Sequence, residues 1–133
     1  MKDQRIRCCT SDLRLPLVVN ISSGAALKGY AGWSPYRAAK AALEGFIRAL
    51  AMEEEHQQFF FEAISVDPGV IDTGMQALIR ATPSADFPEV ERFARRKRDG
   101  GLAAPDTVAA AIIQLISGPA LESGARFDTP TDP

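Results

Sequence analysis

Two short β-rich apolar runs flank one long amphipathic segment, and that alternation leaves a chain of 133 residues few ways to fold. Residues 15–21 (LPLVVNI) place a proline at the start and β-branched residues after it, the pattern of a strand buried on both faces of a parallel sheet. Residues 60–66 (FFEAISV) read as a second strand, stopped by the turn signal Asp67-Pro68-Gly69. Between the two, Ser34-Pro35 offers a helix N-cap with proline in the first turn. Apolar residues then recur at Ala39, Ala42, Leu43, Phe46, Ile47 and Leu50, which predicts a helix over 36–55 with one buried face. Pro105-Asp106 opens a last helix with Val108, Ile112, Leu115 and Ile116 on one side, Gly118-Pro119 closes it, and a short strand is expected near 125–128. Strands that alternate with helices in this way build a doubly wound parallel α/β sheet with right-handed crossovers.

The length suits one domain. Residues 1–14 are polar and basic without periodicity and read as an irregular N-terminal segment, which leaves 15–133 as the folded part. Residues 70–100 mix glycine, proline and short helical pieces, and their basic run Arg95-Arg96-Lys97-Arg98 is expected to be a solvated helix face. With 15 basic against 17 acidic side chains, the net charge of −2 supplies no general attraction to nucleic acid or to an anionic membrane surface. No stretch approaches a membrane span and the start lacks the apolar core of a signal peptide, so a cytoplasmic location is expected. Cys8 and Cys9 are adjacent and read as reduced thiols. His56 ends the acidic run Glu53-Glu54-Glu55, has no ligand at metal-binding spacing, and is expected to be a surface residue, so no metal site is predicted.

Chemistry gathers elsewhere. Tyr36 and Lys40 are four apart on the predicted helix and therefore share a face. A tyrosine phenol ionises near pH ~10, and bringing that into the neutral range takes roughly 3–4 kcal/mol. An ammonium at ~4 Å contributes on the order of 4 kcal/mol at an effective dielectric near 20, the size required. A lone Tyr-x-x-x-Lys is common on helix surfaces. Here, however, Asn20-Ile21-Ser22-Ser23-Gly24 ends one strand and Pro68-Gly69-Val70-Ile71-Asp72-Thr73 follows the next. In open parallel sheets ligands bind outside the carboxyl ends of the strands, so these segments and the helix face are expected to meet in one crevice.

With a serine thirteen residues before the tyrosine and a Pro-Gly-x-x-x-Thr segment after the next strand, the stretch from about residue 15 to 115 resembles the short-chain dehydrogenase/reductase family. The resemblance implies the C-terminal half of a Rossmann-type doubly wound sheet. It implies that Ser23, rather than Ser22, is the catalytic serine, Tyr36 the acid/base, and Lys40 the lysine that also binds the nicotinamide ribose. It further implies that Tyr36, Lys40, Pro68, Gly69, Ile71 and Thr73 border the cofactor, NAD or NADP, with Ile71 near the nicotinamide carboxamide. Gly32-Trp33 and the segment 70–76 (VIDTGMQ) look most like the sepiapterin reductase and benzil reductase branch. The implied activity is hydride transfer between NAD(P)H and a small carbonyl or alcohol. Small and apolar residues round the 36–55 helix (Ala38, Ala41, Ala42, Phe46 and Ala51) leave two alternatives open, homo-oligomerisation through this helix, as is frequent in the family, and cover of the whole surface within one subunit.

The family's Thr-Gly-x-x-x-Gly-x-Gly loop, its Asn-Asn-Ala-Gly segment and the asparagine of its catalytic tetrad do not occur in this sequence. The N-terminal dinucleotide-binding half is therefore absent from the expected fold, and the chain alone is expected to be inactive. Two alternatives stand beside the enzyme: a non-catalytic remnant that acts as a binding or regulatory partner, and a fragment of a longer gene product.

Overall fold

A computed structural model describes residues 16–57, 61–119 and 121–129. The expected irregular segment 1–14 with Cys8 and Cys9, and Phe60 of the second apolar run, lie outside the described residues. Three parallel strands form the sheet: β1 (Leu17–Ile21), β2 (Glu62–Asp67) and β3 (Arg126–Asp128), in the order β1-β2-β3. The register sets Val19 beside Ile64 and Ile21 beside Val66, then Val66 beside Phe127. This is the expected α/β class, and strands running the same way require the long crossovers that the chain supplies.

The first crossover is α1 (Ser34–Glu54). It begins at Ser34 itself, with Trp33 at the cap position, so Ser34 is not the N-cap read from the sequence and no side chain caps the first turn. Proline in that turn needs no donor of its own, which is why the helix starts here. Its buried residues are Glu44, Ile47 and Ala51, and the core below them adds Ala63 with Leu50 and Phe61 against it. The expected apolar stripe divides. Ile47 and Leu50 turn inward, whereas Ala39, Ala42, Leu43 and Phe46 stay on the outer side, Phe46 with 58% of its surface exposed.

The central strand β2 carries the best-buried side chains of the sheet, Ala63, Ile64, Ser65 and Val66, because it has a strand on either side. β1 has a neighbour on one side only among the described residues, and Val18 and Ile21 are exposed. The expectation of a strand covered on both faces is therefore corrected: β1 is an edge, and an edge lacks the flanking elements that would bury its alternate side chains.

The stretch left irregular by sequence reading forms two helices, α2 (Gly74–Ala81) and α3 (Val90–Arg98), which pack on each other. They carry a second core of Ile79, Phe87 and Phe93, against which Tyr30, Trp33 and Val90 pack. Gly32 lies at φ +85°, and a Cβ there would stand 2.7 Å from the Asp86 carbonyl oxygen, so only glycine lets the loop before α1 approach this layer. The last helix, α4 (Pro105–Ser117), buries Val108 and leads into β3, the strand expected near 125–128. Among the described residues no helix is long and apolar enough to cross a membrane.

Candidate active-site cleft

The carboxyl ends of β1 and β2 open into one cleft of about 350 Å³, floored by the loops that follow them and walled by α1, α2 and α3. Ser23, Tyr36, Lys40, Pro68, Gly69, Ile71 and Thr73 all line it, so the residues singled out in the sequence are brought together. Each is held by a local cause. Ser23 caps the 3₁₀ turn Gly24–Ala26, its Oγ accepting from the Ala25 N–H at 3.2 Å. That bond uses a lone pair and leaves the hydroxyl hydrogen free to donate into the cleft. Tyr36 sits in the first turn of α1, its ring edge-on to Trp33 at 5.6 Å. Lys40, one turn along, donates from Nζ to the Ile21 carbonyl at 2.6 Å and lies 5.9 Å from the Tyr36 ring centroid. Two of its three N–H groups remain for other partners.

The turn after β2 is set by Asp67, whose Oδ1 accepts from the Gly69 N–H at 3.0 Å, and by Gly69 at φ +70°, a conformation that favours glycine. Ile71 then makes a single parallel bridge to Ala103, in which Asp72 N–H and Val70 C=O form the bonds. A parallel bridge directs the central residue's own N–H and C=O to the other side. Ile71 therefore keeps one backbone donor and one acceptor without a partner among the described residues, at the cleft, the complement of a carboxamide. Thr73 is the cap residue of α2, and its hydroxyl makes no capping bond there.

Sequence reading missed the network beneath the cleft. Arg126, at the start of β3, donates through Nη1 to Ser22 Oγ at 3.1 Å and to Glu44 Oε1, and through Nη2 to Asp67 Oδ2 at 2.5 Å. Ser22 Oγ also donates to Glu44 Oε1. Glu44 is only 3% exposed, and Arg48 stands 3.6 Å from its other oxygen. One guanidinium thus ties together the residue before Ser23, the inner face of α1 and the residue before Pro68. Ser22, read as a strand-ending residue, belongs to this network. The available signal was Glu44 itself: it continues the spacing of Tyr36 and Lys40, which places a carboxylate on the inward face of the helix.

One wall is aromatic: Trp33 meets Phe93 at 5.5 Å and Tyr30 at 5.0 Å, and is backed by the buried Phe87, on which it stacks at 5.1 Å. Among the cleft's charged side chains are four cations, Lys28, Lys40, Arg92 and Arg96, and one anion, Asp67, which Arg126 already engages. The cleft therefore favours anionic ligands.

Comparison with known proteins agrees with this arrangement. A family model described as short chain dehydrogenase matches residues 16–84. The chain belongs to the short-chain dehydrogenase/reductase family. It is 41% identical over 111 residues to a benzil reductase ((S)-benzoin forming) of Bacillus subtilis (strain 168), covering 84% of this chain and 45% of that protein. It is 39% identical over 111 residues to the sepiapterin reductase of Mus musculus, covering 84% of this chain and 41% of that protein. The crystal structure of the KRED1-Pglu enzyme superposes with a TM-score of 0.73 at 32% identity, over 83% of this chain and 46% of that one. The chain thus spans less than half the length of these relatives, and members of the family generally bind NAD(P).

The residues present fit the nicotinamide end of such a cofactor: Lys40 has spare donors, Ile71 has an N–H and a C=O without a partner among the described residues, and the cleft has an excess of positive charge. No strand, Gly-rich turn and helix N-terminus in series, the usual cradle of a pyrophosphate, occurs among the described residues.

Proposed function

We propose that this chain is the catalytic half of an NAD(P)H-dependent carbonyl reductase. The observation that carries the reading is the convergence of Ser23, Tyr36 and Lys40 with the 68–73 loop on one cleft at the carboxyl end of a parallel sheet. Tyr36 donates its phenolic proton to the substrate oxygen, while the free hydroxyl hydrogen of Ser23 holds the same oxygen. Lys40 favours the phenolate that results and binds ribose hydroxyls with its remaining donors. Bound nicotinamide supplies the hydride. The aromatic wall and the likeness to benzil and sepiapterin reductases support an aryl or heteroaryl carbonyl compound as substrate.

The test supplies, fused or in trans, the part of the Bacillus subtilis relative that this chain does not cover. NAD(P)H-dependent reduction of benzil is expected, with Tyr36→Phe lowering kcat by at least ~10²-fold and KM little changed. Near-normal turnover in Tyr36→Phe sinks the assignment.

The reading extends to assembly. The outer face of α1, with Leu43 and Phe46 uncovered, supports packing against a second copy of the same helix. One observation favours a second reading, in which the polypeptide works as a non-catalytic binding partner: β1 has one edge without a neighbouring strand among the described residues, beside the exposed Val18 and Ile21.

A further inference from the structure

The basic run of α3 divides by partner. Lys97 pairs with Asp72 at 2.5 Å, Arg98 with Glu91 at 2.6 Å, and Arg95 is exposed, as a solvated helix face requires. Arg92, one turn earlier, is neutralised by Glu89 at 2.9 Å and lies over the Tyr30 ring. Arg96 alone of the run is half-buried, lines the cleft, and has no carboxylate partner among the described residues. An arginine that borders a cleft without a counter-charge among the described residues is a site for an anion.

A second observation comes from the neighbouring helix. Gln76 is 8% exposed and lines the same cleft, and its Oε1 is buried with no hydrogen-bond partner among the described residues. Buried polar atoms are normally satisfied, so this one calls for a ligand atom. A half-turn of the amide presents either its oxygen or its NH₂ to that position, so it can serve a ligand oxygen as well as a ligand hydroxyl. Between these polar groups and Tyr36 runs the aromatic wall, Tyr36 to Trp33 at 5.6 Å and Trp33 to Phe93 at 5.5 Å. Proton donor, aromatic wall and the Arg96 and Gln76 pair therefore line one cleft.

We infer that Arg96, with Gln76, is a specificity site for a carboxylate, and that the ligand is an aromatic oxo acid whose ring lies along Trp33 and Phe93. The inference rests on the carbonyl-reductase reading for the oxo group, and on α2, α3 and the aromatic wall for the rest. An anion could also be brought by the phosphate of a mononucleotide, and the test separates the two sources.

Trp33 is the sole tryptophan of these 133 residues and belongs to the wall, so its fluorescence reports occupancy of the cleft with neither cofactor nor turnover. Phenylglyoxylate and 4-acetylbenzoate are titrated beside their methyl esters and beside nicotinamide mononucleotide. At least one of the two acids is expected to quench Trp33 saturably, with an affinity ~10-fold or more above its ester, equivalent to about 1.4 kcal/mol. That preference should vanish in Arg96→Gln, persist in part in Arg96→Lys, and be unaltered in Arg95→Gln, with circular dichroism confirming that each variant is folded. Equal affinity for acids and esters overturns the inference, as does a preference that survives Arg96→Gln or is lost equally in Arg95→Gln. A response to the mononucleotide that depends on Arg96, with none to either acid, overturns it too and assigns Arg96 to the cofactor. Because hydride transfer is not read, failure here is distinct from failure of the reductase reading.

Discussion

Replacing Arg126 by methionine removes the one cation that holds two carboxylates from different elements beneath the cleft. The side chains of Arg126, Glu44 and Asp67 are 19%, 4% and 14% exposed, so water compensates little for the lost charge. Breaking a buried pair by deleting one partner costs about 3–5 kcal/mol, because the survivor stays buried and uncompensated. Glu44 would retain the Ser22 hydroxyl and the 3.6 Å contact with Arg48, but that arginine is largely exposed and offsets no more than about 1 kcal/mol. The expected loss is therefore ~3 kcal/mol or more, which at an m-value of ~1–3 kcal/mol/M lowers a urea midpoint by about 1 M or more. Adding Glu44→Leu to Arg126→Met should return ~2 kcal/mol, since a pair replaced by apolar groups leaves no orphan charge between them. A loss below ~1 kcal/mol in Arg126→Met, or strictly additive losses in the double variant, would falsify the view that Arg126 and Glu44 act as one buried unit.

Other substitutions test other links. Gly32→Ala combines a left-handed φ with a close approach to a backbone oxygen that cannot swing aside, so a loss of roughly 1–3 kcal/mol in thermal or denaturant unfolding is expected; an unchanged midpoint would mean that the loop relaxes freely. Phe87→Ala empties the stacked partner of Trp33 and should cost about 3–5 kcal/mol while red-shifting tryptophan emission, whereas emission that stays put would show Trp33 anchored by its other neighbours. In sedimentation, Phe46→Arg on the outer face of α1 should shift a reconstituted enzyme toward monomers, and an unaltered oligomer counts against assembly through that helix. Arg98 donates to Glu91 and holds its carboxyl below the usual carboxylate range, so this surface pair contributes above the ordinary glutamate pKa and loses its contribution as pH falls through the lowered value; the small difference between wild type and Glu91→Gln should fade in acid and in high salt, and one that grows in acid reverses the sign argued here.

Much of this architecture could be read from local patterns. Period and punctuation located β1, α1, β2, α4 and β3 to within a residue or two, because each depends on its own apolar spacing and on a nearby proline or glycine. That seven singled-out residues would line one cleft was legible too, because they lie on one helix face and on loops after the carboxyl ends of adjacent parallel strands. α2 and α3 were legible only as short helical pieces without bounds. Both are short, eight and nine residues, and both depend on Phe87 and Phe93 reaching Trp33 across more than fifty residues of chain.

What the tertiary structure alone decided is which charged and apolar side chains face inward. The helical spacing of α1 is equally compatible with burying Phe46 or Glu44, and hydrophobicity by itself selects Phe46. The fold reverses that choice because Arg126, 82 residues further along the chain, arrives on β3 with a guanidinium for Glu44 and Asp67 together. Likewise nothing in the run Arg95-Arg96-Lys97-Arg98 sets Lys97 and Arg96 apart until α3 is packed in place, where Asp72 stands beside Lys97 and Arg96 borders the cleft. Burial and ion pairing are properties of assembled surfaces, so a sequence can name the groups able to do chemistry here, while only the packed sheet and helices select those left without a partner in the cleft.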